Sequence, residues 1–273
     1  MIAAPCRAQW APCRRWPVRC LHIRRNARVA KRTHPYLYSA AFRPGLELDH
    51  QAYPFNIPAV REMDCIEFHP NVTFLVGENG AGKSTVLEAI ALALGFGPEG
   101  GTKNVQFRTV ESVSPLSDAL RLSRGTPAPR DGYFLRAESF FNVASYMDEV
   151  GYTDAYGGSL HARSHGESFM AVLVSKLRGN GIYLFDEPEA ALSPSRQLAA
   201  LRAIHQLVED HSQLIIATHS PILLSYPFAK IVLFDRSGVS EVSYQDTEHY
   251  AITRDFLNHY PRRLEQLLSD EDA

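Results

Sequence analysis

The apolar positions of this chain fall into short, nearly unbroken runs. Val72-Thr73-Phe74-Leu75-Val76, Ile182-Tyr183-Leu184-Phe185, Leu214-Ile215-Ile216-Ala217 and Ile231-Val232-Leu233-Phe234 each read as a strand covered on both faces. Helical patterns lie between them. Residues 83–94 are apolar nearly all round, as in a buried helix. Residues 167–177 form a second pattern, and a third carries Leu198, Leu201, Ile204, Leu207 and Val208 on one side. Ser193 followed by Pro194 suits the start of that third helix, and Gly95 can end the first in a left-handed cap. Strand–helix alternation of this kind predicts an α/β fold with a mostly parallel core sheet. Ahead of it, residues 36–49 suggest a strand pair and residues 65–68 a short strand, giving an N-terminal antiparallel part. Residues 95–132 are richer in Gly, Pro, Ser and Thr. They are expected to hold loops and a helix over 113–122, within a small helical lobe spanning about 96–165. Residues 133–147 read as strand and then helix.

Charge divides the chain more sharply than its net of −2 suggests. Ten Lys and Arg precede the first acidic residue, Glu47. The other 18 stand against all 30 Asp and Glu, so residues 47–273 carry a net of −12. General adhesion to nucleic acid is therefore not expected of the body, and DNA contact would need a local basic patch. Residues 1–35 have three readings: a transit peptide, a basic arm for nucleic acid, or an upstream extension that does not fold. The third is preferred, and residues 36–273 are expected to form a single domain. The four cysteines do not suggest a disulfide framework, so a reducing, cytoplasmic location is expected. Cys6, Cys13, Cys20 and His22 match no usual zinc spacing. No apolar run is long enough to span a membrane.

The chemistry is carried by four motifs. Gly77-Glu78-Asn79-Gly80-Ala81-Gly82-Lys83-Ser84-Thr85 follows a strand pattern and opens a helix pattern, which is the context a phosphate-binding loop needs. Small residues let the backbone wrap around phosphates, and successive N–H groups supply positive potential. Lys83 adds a point charge, and the Ser84 hydroxyl is placed to ligate magnesium. The second motif, Asp186-Glu187-Pro188, follows an apolar strand. Asp186 can hold magnesium, and Glu187 can orient or deprotonate an attacking water. The third is Thr218-His219-Ser220-Pro221. Its histidine can reach a terminal phosphate from a neighbouring strand end, although it also suits a helix cap. The fourth, Ser164-His165-Gly166-Glu167, reads as a capping box and equally as an anion site at a helix start.

In this order the four motifs resemble the ABC-type ATPase fold, in its SMC-like and RecF-like branch, and more narrowly a family of compact bacterial ATPases. Tyr53-Pro-Phe-Asn-Ile-Pro58 and the run from Arg130 to Asn142 share in the resemblance, which covers roughly residues 36–268. It implies that Gly77–Thr85 is the Walker A loop binding ATP and Mg2+. It implies also that Asp186 and Glu187 are the Walker B pair with Glu187 the base, that 190–193 form the D-loop, and that His219 is the switch histidine. Ser164, Gly166 and Glu167 then match the signature that meets the nucleotide of an opposing subunit. His165 stands where such signatures usually have glycine. Gln106 is the candidate for the glutamine that senses magnesium and water. Tyr38, Phe42, Tyr53 and Phe55 are candidates for stacking on adenine.

One loop and one signature per chain imply a nucleotide-dependent, head-to-tail homodimer with two sandwiched ATP molecules. The expected activity is hydrolysis of ATP to ADP and phosphate, serving genome maintenance or defence. The alternatives are the ATP-binding subunit of a transporter, a non-catalytic scaffold that dimerises on ATP, and a small-molecule kinase. The interval between Thr85 and Ser164 lacks heptads, so a head without coiled-coil arms is expected.

Overall fold

The computed structural model describes residues 35–103, 114–140, 142, 143, 145 and 164–269. The basic N-terminal extension and Gln106 lie outside the described residues.

The four apolar runs are the centre of a six-stranded sheet. Its strands are β3 (Val72–Gly77), β5 (Asp131–Arg136), β6 (Gly181–Asp186), β7 (Gln213–Ala217), β8 (Ala229–Asp235) and β9 (Gly238–Val242), in the order β5-β6-β7-β3-β8-β9. The first five run parallel and β9 closes the edge antiparallel. The runs lack polar alternation because successive residues feed two different cores. Phe74, Tyr183, Phe185, Leu214 and Ile216 enter one, with helical residues 165–176 and the helix 194–209. Leu75, Ile182, Leu184, Ile215 and Ala217 enter the other, with the helix after the phosphate loop and the N-terminal sheet.

That second sheet is antiparallel, with β1 (Leu37–Phe42) between β2 (Cys65–Glu67) and β4 (Leu120–Arg124). The strand pair expected over 36–49 is therefore one strand, whose partners come from farther along the chain. The helix expected over 113–122 is also corrected. Among the described residues of that span only Leu116–Ala119 is helical, and from Leu120 the alternating Leu-Arg-Leu-Ser-Arg pattern is drawn onto β1. Phe140, Asn142, Val143 and Ser145 are helical, so the described part of 96–165 mixes short helical pieces with β4 and β5.

Gln213 fastens the two sheets together. Fully buried, its Nε2 donates to the Leu37 carbonyl at 2.8 Å and to the His69 carbonyl at 3.0 Å, while its Oε1 accepts from the Leu37 N–H at 2.9 Å.

We number the helices in chain order: α1 (Pro58–Arg61), α2 (Lys83–Ala93), α3 (Leu116–Ala119), α4 (His165–Ala171), α5 (Pro194–Glu209), α6 (Pro221–Leu224) and α7 (Glu248–Leu268). The pattern expected over 167–177 is α4 continued by a π-helical stretch, Val172–Lys176. Among the described residues no helix is long and apolar enough to cross a membrane.

Candidate functional site

Register explains why distant motifs meet. Leu75 of β3 and Asp186 of β6 both pair with Ala217, the last residue of β7. The phosphate loop, the two carboxylates and His219 therefore emerge from neighbouring strands at one sheet edge. Ligands of parallel α/β sheets bind at such carboxyl ends.

The loop runs from Gly77 into α2. Gly82 is the N-cap residue at φ 98°, a left-handed conformation that glycine adopts without steric cost. The Lys83 ammonium is buried and donates to the carbonyls of Gly77 and Glu78 at 2.9 and 2.8 Å. Burial lowers its pKa, against the opposing pull of Glu187, Asp186 and Glu189. Ser84 Oγ donates to Asp186 Oδ1 at 2.8 Å, which brings two of the predicted magnesium ligands together. Burial pushes the Asp186 carboxyl up to about 6, although the Ser84 hydrogen bond and nearby Arg136 act the other way.

Glu187 sits at φ 49° and ψ 52°, left-handed for a residue with a side chain. Such backbone costs on the order of 1–3 kcal/mol and persists only where the surroundings enforce it. Its N–H donates to the Ala217 carbonyl at 2.9 Å, which pins the turn to β7. Its carboxylate is half-exposed, with Oε1 3.7 Å from His219 Nε2. That nitrogen is buried and has no hydrogen-bond partner among the described residues. The other ring nitrogen, Nδ1, lies 2.9 Å from Nε2 of His249, in the first turn of α7.

Ser164, Gly166 and Glu167 form a separate group. Ser164 N–H and Oγ both donate to Glu167 Oε2, at 2.9 and 2.8 Å, completing the expected capping box. Arg196 of α5 clamps it, donating to Ser164 Oγ and Glu167 Oε1 at 3.3 and 3.2 Å. These hydrogen bonds, those from Ser164 first, hold the Glu167 carboxyl below its ordinary pKa. Gly166 lies against the 188–191 turn, where a Cβ would stand 2.6 Å from the Ala191 carbonyl oxygen. Among the described residues no hydrogen bond or ion pair joins this group to the phosphate loop. Of the aromatic candidates, Phe55 is buried in the core. Tyr53 is exposed, with its OH 3.1 Å from Thr85 Oγ1.

Three participants escaped the sequence reading. Arg136 is the β5 residue in register with Asp186. Its Nε stands 3.9 Å from Asp186 Oδ2, and its Nη1 donates to Glu88 Oε2 at 2.9 Å. Glu189 is nearly buried and accepts from Thr218 Oγ1 at 2.7 Å and from the His219 N–H, bracing the histidine loop. Burial raises its pKa. His249 carries no local motif, and only the fold reveals it.

The donor set suits a magnesium–nucleotide complex. A hydroxyl and a carboxylate are hard oxygen ligands, and magnesium at such sites takes its remaining oxygens from phosphates and water. Among the described residues no group of three or more His, Cys, Asp or Glu side chains is arranged to hold a metal ion by itself. A cavity of about 720 Å³ opens on the other flank of the loop, lined by Gly77–Ala81, Phe234–Arg236 and Thr247–His249. Ser84, Asp186 and Glu187 do not line it.

Residues 55–124 match a protein family described as "AAA domain", and residues 160–225 match one described as "AAA domain, putative AbiEii toxin, Type IV TA system". No curated protein matches the chain. Among solved structures it is similar to the SMC head domain from Thermotoga maritima, at 15% identity and a TM-score of 0.40 over 76% of this chain and 98% of that one. It is also similar to CbiO1 from Clostridium perfringens, described as part of the ABC transporter complex CbiONQ. Identity there is 16% and the TM-score 0.42, over 76% of this chain and 92% of that one. The chain carries an α/β fold; one family match includes residues 77–85 of the candidate site and the other includes Ser164–Glu167, Asp186, Glu187 and His219.

Proposed function

We propose that the chain binds ATP with magnesium and hydrolyses it to ADP and phosphate. The single observation that carries this reading is the convergence of Lys83, Ser84, Asp186, Glu187 and His219 at one strand edge, with the buried His219 Nε2 held beside the Glu187 carboxylate. The loop amides and Lys83 would bind and orient the triphosphate. Ser84 and Asp186 would hold magnesium, which when bound neutralises charge developing on the phosphate oxygens. Glu187 would orient water and accept its proton. His219 Nε2–H would donate to the terminal phosphate. Catalysis of this kind is positioning plus electrostatics.

Among the described residues no hydrogen bond or ion pair joins the Ser164–Glu167 group to its own chain's loop, and its Arg196 clamp leaves Ser164 exposed. This supports a site completed by a second copy in head-to-tail fashion. Steady-state phosphate release against protein concentration tests both parts. Activity per chain should rise with concentration, and Glu187→Gln should abolish turnover while trapping an ATP-bound dimer. A concentration-independent rate would remove the dimer, and an unaffected Glu187→Gln variant would remove the hydrolytic mechanism. A second reading is the ATP-binding subunit of a transporter; CbiO1 above is described as part of an ABC transporter complex. Co-purification with an integral membrane partner would favour it.

A further inference from the structure

We propose that His249 is a positioning residue that fixes the tautomer of His219. The inference deepens the reading above, since it concerns the group assigned there to the terminal phosphate.

His219 Nδ1 and His249 Nε2 are 2.9 Å apart, with ring centroids at 5.0 Å, so one nitrogen must carry a proton and the other must accept it. Burial lowers the pKa of both rings and Lys83 adds to this, against Glu187 at His219 and Glu248 and Glu189 at His249; the net lowering favours the neutral imidazoles. In a neutral ring the protonation of one nitrogen leaves the other bare. Two arrangements exist. If His219 donated from Nδ1, its Nε2 would present a lone pair towards Glu187 Oε1 at 3.7 Å, in a buried position with no hydrogen-bond partner among the described residues. If His249 donates from Nε2, His219 carries its hydrogen on Nε2 and directs an N–H dipole at that carboxylate. In the second arrangement His219 Nδ1 accepts from His249 at hydrogen-bond distance, and His219 is equipped to donate to a phosphate oxygen. Glu187 at 3.7 Å is too far to select the tautomer alone.

The elements around the pair keep it in place. The first turn of α7 is capped by the buried Thr247, whose hydroxyl accepts from the Tyr250 N–H, and Tyr250 lies against Tyr244 with ring centroids at 4.6 Å. On the other side Glu189 holds the His219 backbone N–H. The position of one imidazole is thus set by α7 and that of the other by the turn after β6.

The test uses full-length protein with 15N-labelled imidazoles, read by long-range proton–nitrogen correlation above pH 8 without nucleotide, with His219 assigned from His219→Gln. The expected result is a single His219 tautomer protonated on Nε2, changing to a mixture in His249→Phe. A wild-type His219 protonated on Nδ1, or an unchanged tautomer in His249→Phe, would overturn the inference. Because no nucleotide is present, this arm stands even if the chain hydrolyses nothing. In the ATPase assay His249→Phe should lower kcat about tenfold to a hundredfold with KM little changed. His249→Gln keeps an amide donor in place of Nε2–H and should stay within about threefold of wild type. Equal losses in the two variants, or a full further loss from His249→Phe in the His219→Gln background, would mark the contact as merely structural and sink the proposal.

Discussion

Ser84 Oγ donates to Asp186 Oδ1 across 2.8 Å, joining the first turn of the helix after the phosphate loop to a strand end 102 residues later in the chain. The acceptor is almost fully buried, and the burial makes its ionisation unfavourable.

The first prediction follows from the sign of that effect. Asp186 titrates at about 6 when folded, against an ordinary 3.8. The folded chain therefore keeps a proton in that window which the unfolded chain has released. The stability contributed by the neutral acid is complete below the unfolded value and is lost as pH rises through about 6. Asp186→Asn removes the titration. In metal-free buffer the stability of the variant relative to wild type should climb between pH 4 and 7 by on the order of 2 kcal/mol. Urea denaturation at each pH reads it, and a flat difference would count against a buried, proton-retaining Asp186.

The left-handed backbone of Glu187 separates the cost of position from the value of the side chain. Glu187→Gly and Glu187→Ala should both lower turnover by about 10²–10³ through loss of the base. Only the glycine variant should gain stability, by about 1 kcal/mol, because alanine keeps the Cβ penalty. Thermal melts of the two variants side by side decide the point.

Gly166→Ala would place a methyl group against the Ala191 carbonyl and the Arg196 guanidinium. A stability loss of about 1–3 kcal/mol is expected, since the helix and the 188–191 turn must move apart. If the group also completes a neighbour's site, the concentration dependence of ATPase activity should weaken while single-chain nucleotide affinity holds. Equilibrium binding of a fluorescent ATP analogue provides the control.

Gln213→Leu would strand the Leu37 N–H and carbonyl in the interior. The variant should lose about 1–3 kcal/mol with nucleotide affinity unchanged, because Gln213 lies at the opposite end of β7 from His219. A loss of affinity equal to that of a Lys83→Ala variant would contradict this separation.

The parts of the site legible in the sequence are those whose residues adjoin in the chain. The phosphate loop with its flanking strand and helix, the carboxylate pair after a four-residue apolar run, and the Ser164–Glu167 capping box all depend on local spacing. The unread parts depend on register or on distant packing. Arg136 matters because β5 aligns it with Asp186, 50 residues away. Glu189 looks like one more acid in an acidic turn until β7 brings Thr218 and the His219 amide to it. His249 sits in a polar stretch that no chemical spacing singles out. The expected helix over 113–122 failed for the same reason, because its alternating C-terminal part was claimed by β1.

The strand order has a consequence for how the protein is made. β3, which launches the phosphate loop, is flanked by β7 and β8 and has no other neighbour in its sheet. The partner of Val72 on β7 is Leu214, so it leaves the ribosome roughly 140 residues later, on the order of ten seconds at about 5–20 residues per second. Until then Phe74 and Leu75 have no sheet to join, and a nascent chain stalled before β7 should be open to protease and a client for chaperones.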